Sequence, residues 1–270
     1  MKLCFSTLSC PGWDWNTVLR QAKALGFDGI ELRGILGELD ATRLPQFQPD
    51  AVKATMAQLI DAGLALRCLD TSCVFLGDGA FDRAIEEGRA AITLAARLGT
   101  PYIRVFGDSV QPGMSETEAA AIVAEGIGQL AAYAEGTGVM VLQETHGDFT
   151  NSRMLLDVHN RVNSKNAGLI WDTANTFERG EAPETTWANL GHLIRHTHIK
   201  DCITRDGKVI PCLPGEGEVP IGRIIKTLRD GGYAGWLSFE WEKRWHSDIE
   251  EPEAALPCFT THMRAILNQA

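Results

Sequence analysis

Val141-Leu142-Gln143-Glu144-Thr145-His146, Leu169-Ile170-Trp171-Asp172-Thr173, Ile194-Arg195-His196-Thr197-His198-Ile199-Lys200-Asp201 and Trp236-Leu237-Ser238-Phe239-Glu240 are the stretches that decide how this chain folds. Each is rich in β-branched or aromatic residues, is about as long as a strand, and precedes a segment of helical periodicity. Each also closes on an acid or an imidazole. A lone strand-end Glu is usually a solvated group, whereas four such ends at equivalent points suggest one convergent site.

The same unit recurs along the rest of the chain. Expected strands cover 2–9, 29–33, 64–69, 102–106, 139–143, 168–171, 195–199 and 235–240. Expected helices cover 14–25, 50–62, 81–98, 116–135, 151–162, 183–193, 221–230 and 253–267. Gly26, Gly63 and Gly99 follow the first three helices, where glycine accepts the left-handed conformation that ends them, and Ser115 is a candidate N-cap. Eight alternating units imply parallel strands joined by right-handed crossovers, and about 250 residues suffice to close them into a (β/α)8 TIM barrel. The rival is an open Rossmann-like sheet, which would carry a glycine-rich phosphate turn after its first strand. Ser9-Cys10-Pro11-Gly12-Trp13 stands there instead. No linker or low-complexity break interrupts the rhythm, so residues 1–270 are expected to form a single domain. In a barrel the C-terminal strand ends ring one mouth, which would bring Glu144, Asp172, His198 and Glu240 together.

Composition bounds the function. The chain has 270 residues, 44% of them hydrophobic, and no apolar run long enough to span a bilayer. Met1-Lys2-Leu3-Cys4-Phe5 runs directly into a strand without a targeting pattern, so a cytoplasmic location and no membrane partner are expected. Seven cysteines without CxxC spacing suggest neither a disulfide framework nor a zinc ribbon. A formal charge of −10 disfavours a nucleic-acid partner, which requires clustered Lys and Arg.

Two Glu, one Asp and one His suit one divalent cation of the Mn, Mg, Co or Zn kind, since carboxylates favour hard ions and imidazole admits borderline ones. Bland readings exist for each: Asp172 could cap the next loop, one of His196 and His198 could orient the other, and His146 could be an ordinary loop histidine. Glu242, Glu250, Glu251 and Glu253 read as a solvated face.

Glu-Thr-His-Gly at 144–147, Trp-Asp-Thr at 171–173, His-Thr-His-Ile-Lys-Asp at 196–201, Leu-Pro-Gly-Glu-Gly-Glu-Val-Pro at 213–220 and Phe-Glu at 239–240, with Gly-Phe-Asp-Gly-Ile-Glu-Leu at 26–32, together resemble the xylose isomerase-like TIM barrels that include sugar phosphate isomerases and epimerases. The resemblance implies that Glu144, Asp172, His198 and Glu240 bind one metal, often Mn. In the ketose 3-epimerase branch it further implies that Glu144 and Glu240 exchange the substrate proton through a cis-enediolate. Such relatives often form dimers or tetramers, so a homo-oligomer is an option, and no segment here declares an interface. Epimerases of this branch often carry a His three residues after the metal Asp, where this chain has Asn175, able to bond a sugar hydroxyl but unable to act as an acid. The resemblance favours Lys200 and Glu216 as groups at the site's edge.

The remaining substrate contacts expected are Arg104, His146, Asn175 and Trp13, with Glu31 and Arg33 at further strand ends; rim salt bridges and core packing are the competing readings. The leading expectation is an isomerase or epimerase of a small carbohydrate or keto-acid. The same metal site could instead serve a lyase, of the inosose or dehydroshikimate dehydratase kind or a 3-keto-glycoside eliminase, or the barrel could bind a sugar without turning it over. The extra His ligands of the DNA-repair nucleases of this fold have no counterpart in Leu69-Asp70-Thr71-Ser72 or Arg104-Val105-Phe106-Gly107.

Overall fold

Side chains and glycines already visible in the sequence set where the helices start and stop. Asp14 accepts from the Thr17 N–H at 2.7 Å, and Gly26 ends the helix that follows at φ 69°. Ser115 and Glu118 form a reciprocal capping box. The computed structural model describes residues 1–268. In chain order its elements are β1 Lys2–Ser6, α1 Trp15–Leu25, β2 Gly29–Leu32, α2 Val52–Ala62, β3 Ala65–Val74, α3 Ala80–Leu98, β4 Tyr102–Phe106, α4 Glu116–Tyr133, β5 Met140–Glu144, α5 Ser152–Val162, β6 Ala167–Asp172, α6 Thr173–Glu178, α7 Pro183–Leu190, β7 Ile194–Ile199, β8 Asp201–Arg205, β9 Lys208–Cys212, α8 Ile221–Asp230, β10 Trp236–Phe239 and α9 Pro252–Asn268. Eight strands close a parallel barrel in the order β1-β10-β7-β6-β5-β4-β3-β2, and β8 pairs with β9 alone.

The chain divides into two compact units, Met1–Leu66 with the chain from Thr197 onward, and Arg67–His196. In the first unit β1 lies between β10 and β2, with Phe5 opposite Phe239 and Ser6 opposite Glu31. An aromatic layer holds these strands to α9: Phe239 stacks on Phe259 at 4.5 Å, and Phe5 meets Phe27 at 4.8 Å. Each fully buried Phe contributes about 1.5–3 kcal/mol relative to exposure. In the second unit β4 lies between β3 and β5, and β5 pairs in turn with β6, over a core of Cys68, Leu142 and Ile170. Gly126 of α4 lets the Phe75 ring approach the helix backbone, in space that any Cβ would fill.

Three segments differ from the sequence expectation. Strand β3 continues past residue 69 to Val74, through a register irregularity between Asp70 and Val74 that the alternation pattern does not encode. The short α6 starts where the Asp172 carboxylate accepts from the Ala174 and Asn175 N–H groups. The segment after β7, where no strand was expected, forms the β8–β9 hairpin, whose turn at Asp206 and Gly207 has φ of 50° and 72°. Two positive φ values in succession are the twist that a two-residue hairpin requires, and Asp-Gly supplies them. Pro211, which lacks an N–H, obscured the strand.

Candidate metal centre and active site

In the second unit β5 carries Glu144 at its end, 1% exposed. Arg104 of β4 donates from Nη1 to Glu144 Oε2 at 2.8 Å and from Nη2 to the Thr71 carbonyl at 3.0 Å. The Thr71 hydroxyl in turn donates to the Arg104 carbonyl, and the guanidinium lies 4.1 Å from the Phe106 ring centroid. Arg104 is therefore anchored through both terminal nitrogens and one face. Thr145 links β5 to β6: its hydroxyl donates to the Asp172 carbonyl at 3.1 Å and accepts from the Asp172 N–H at 2.8 Å. Asn175 donates from Nδ2 to the Thr145 carbonyl at 3.0 Å. Asp172, fully buried, is thus held at its backbone by Thr145 and at Oδ1 by the start of α6. His146 is half-exposed, with Nδ1 3.0 Å from Asp108 Oδ1. The hydrogen bond from His146 holds the Asp108 carboxyl below its ordinary range.

In the first unit β7 carries His198, with both ring nitrogens beside carboxylates. Nε2 stands 2.8 Å from Glu31 Oε1 and Nδ1 stands 3.3 Å from Glu240 Oε1. Lys200 bonds the other Glu240 oxygen at 3.1 Å and Glu242 Oε1 at 2.6 Å. Glu216 is exposed, on a loop stapled by Asp201, whose Oδ2 accepts from the Gly215 and Gly217 N–H groups. Trp13 is part-buried and donates its indole N–H to Glu253 at 3.2 Å.

One ligand atom from each of Glu144, Asp172, His198 and Glu240 lies within 4.8 Å of the other three, and all four residues are buried. Glu31, His196 and His198 meet the same criterion. Three carboxylates and an imidazole at this spacing are a donor set that fits a divalent cation, since carboxylates favour hard ions and imidazole admits borderline ones.

Sequence reasoning gave too little weight to two groups. Glu31 was a possible rim salt bridge and is a fully buried partner of His198; the rule that singled out Glu144 and Glu240, an acid at a strand end, applied to it equally. Glu242, expected on a solvated face, bonds Lys200 and approaches His246. Its neighbours Glu250, Glu251 and Glu253 are exposed, as expected.

The family model described as xylose isomerase-like TIM barrel matches residues 19–259, and the chain belongs to that family. Fructoselysine 3-epimerase of Shigella flexneri is 25% identical over 82% of this chain and 83% of its own length. Inosose dehydratase of Klebsiella pneumoniae (strain 342) is 29% identical over 52% of each chain. Among solved structures, the IOLI protein with a bound zinc atom superposes with a TM-score of 0.82 at 20% identity, covering 100% of this chain and 99% of that one, a likeness of fold.

Proposed function

We propose that this chain is a divalent-metal-dependent isomerase or epimerase of a small keto-sugar or keto-polyol, and that Glu144, Asp172, His198 and Glu240 hold the ion, Mn by preference. The observation that carries the reading is the buried four-residue donor group, with support from the 3-epimerase relative matched over most of its length. A cation held there supplies Lewis acidity to a substrate carbonyl, lowering the cost of removing a proton from the adjacent carbon.

The chain's own residues do the rest. One of Glu144 and Glu240 takes that proton, leaving a cis-enediolate, and the other returns a proton to the opposite face of the same carbon. Arg104 acts on Glu144 by fixing its carboxylate, and Asn175 acts on Asp172 through Thr145. His146, Lys200, Trp13 and Glu216 remain the candidate contacts to substrate hydroxyls and apolar surface. Seven cysteines without CxxC spacing accord with a reducing, cytoplasmic setting.

A second reading has its own observation. Asn175 spends its side-chain amide on the Thr145 backbone and offers no acid at the position where epimerases often carry His. In a dehydratase the enolate would expel a β-substituent instead of being reprotonated, and the inosose dehydratase relative belongs to that class. Incubating the Mn-loaded protein with candidate ketoses in D2O separates the two readings by NMR. Deuterium at the exchanged carbon without loss of water supports epimerisation; an enone or a released aglycone supports elimination. A chain that binds a sugar but yields neither outcome is a binding protein.

A further inference from the structure

We infer that Glu31 is the positioning residue that decides which nitrogen of His198 meets the metal. The inference rests on the metal reading above and goes beyond it, since Glu31 lies outside the four-ligand set. His198 has a carboxylate oxygen near each nitrogen, Glu31 at 2.8 Å from Nε2 and Glu240 at 3.3 Å from Nδ1. An imidazole that ligates through one nitrogen keeps its proton on the other. Glu240 belongs to the ligand group, so an ion held there would meet the Nδ1 edge and leave Nε2–H toward Glu31. A carboxylate in that place fixes the tautomer, aims the ring and raises its basicity.

The energetics argue that Glu31 is retained for this purpose. It is fully buried on β2, where β1 pairs with it through Ser6, and a buried carboxylate costs several kcal/mol that an apolar side chain would not.

Zinc affinity by chelator competition tests the inference, together with imidazole 15N NMR of the zinc-loaded protein, His198 being assigned by its loss in His198→Gln. The wild-type chain is expected to show His198 protonated at Nε2 and zinc-bound at Nδ1. Glu31→Leu should weaken zinc binding roughly 10–100-fold. Glu31→Gln, whose carbonyl still accepts from Nε2–H, should keep the tautomer and lose less than about tenfold. Zinc on Nε2 in the wild-type chain, as the group of Glu31, His196 and His198 would have it, overturns the inference. So does a Glu31→Leu protein that binds zinc as tightly as wild type. If the leucine variant does not fold, the wild-type and glutamine spectra decide. A wild-type chain that binds no zinc overturns the metal reading itself, an outcome distinguishable from the other two.

Discussion

Glu144 and Glu240 are the same residue type at the same place on two strands, yet their surroundings differ. Glu144 is held by a guanidinium whose other arm is fixed to a carbonyl, in a pair whose side chains are 4% and 1% exposed. Glu240 is held by an ammonium that is 13% exposed and shared with the half-buried Glu242. A planar donor with two anchored nitrogens fixes orientation, whereas a shared ammonium on a flexible stem supplies charge but little direction. Under the proposed mechanism the two carboxylates would have separate duties, Glu144 as a fixed group and Glu240 as one that can shift.

Removing the cation on each side should expose that difference. Arg104→Met takes the guanidinium from a carboxylate 1% exposed and should cost about 3–5 kcal/mol, read from the urea midpoint at constant m-value. Lys200→Met should cost less, about 1.5–3 kcal/mol, because water reaches both of its partners more readily. Adding Glu242→Gln to Lys200→Met should recover part of that loss, since it removes a negative charge that the lysine had neutralised. Equal costs for the two single variants would remove the contrast between the two sides.

The smallest effect belongs to the pair beside Glu144 that is open to water. The side chains of His146 and Asp108 are 44% and 40% exposed, so Asp108→Asn should change stability by less than about 1 kcal/mol at neutral pH. The folded carboxyl titrates below its ordinary 3.8, so its contribution is present above pH 3.8 and is lost as pH falls through the lower folded value. Wild type and variant should therefore converge in acid, and a gap that widens there would show that the pair is not the source.

The barrel was legible because its signals are local. Strand-like runs followed by helical periodicity repeat eight times, and Asp14, Gly26 and Ser115 do at the helix ends what their chemistry requires. The four ligand candidates were expected to meet because topology alone sends strand ends to one edge. What escaped depends on partners distant in sequence. Glu31 and Glu242 look like ordinary acids until His198 and Lys200 are beside them. Arg104 and Asn175, expected as substrate contacts, also make side-chain hydrogen bonds to Glu144, Thr71 and Thr145 that no spacing rule reports. The β8–β9 hairpin was hidden by its proline, although Asp206 and Gly207 supply its turn.

The most direct test of a cation site built from these strand ends is Mn2+ binding to the wild-type chain and to Asp172→Asn. Asparagine keeps an Oδ1 to accept from Ala174 and Asn175, so the start of α6 and the thermal midpoint should change little. The account predicts one Mn2+ per wild-type chain and, in the variant, a loss of affinity beyond the roughly 10–100-fold that an outer partner costs. Unchanged affinity in Asp172→Asn, or no binding by the wild-type chain, would contradict it.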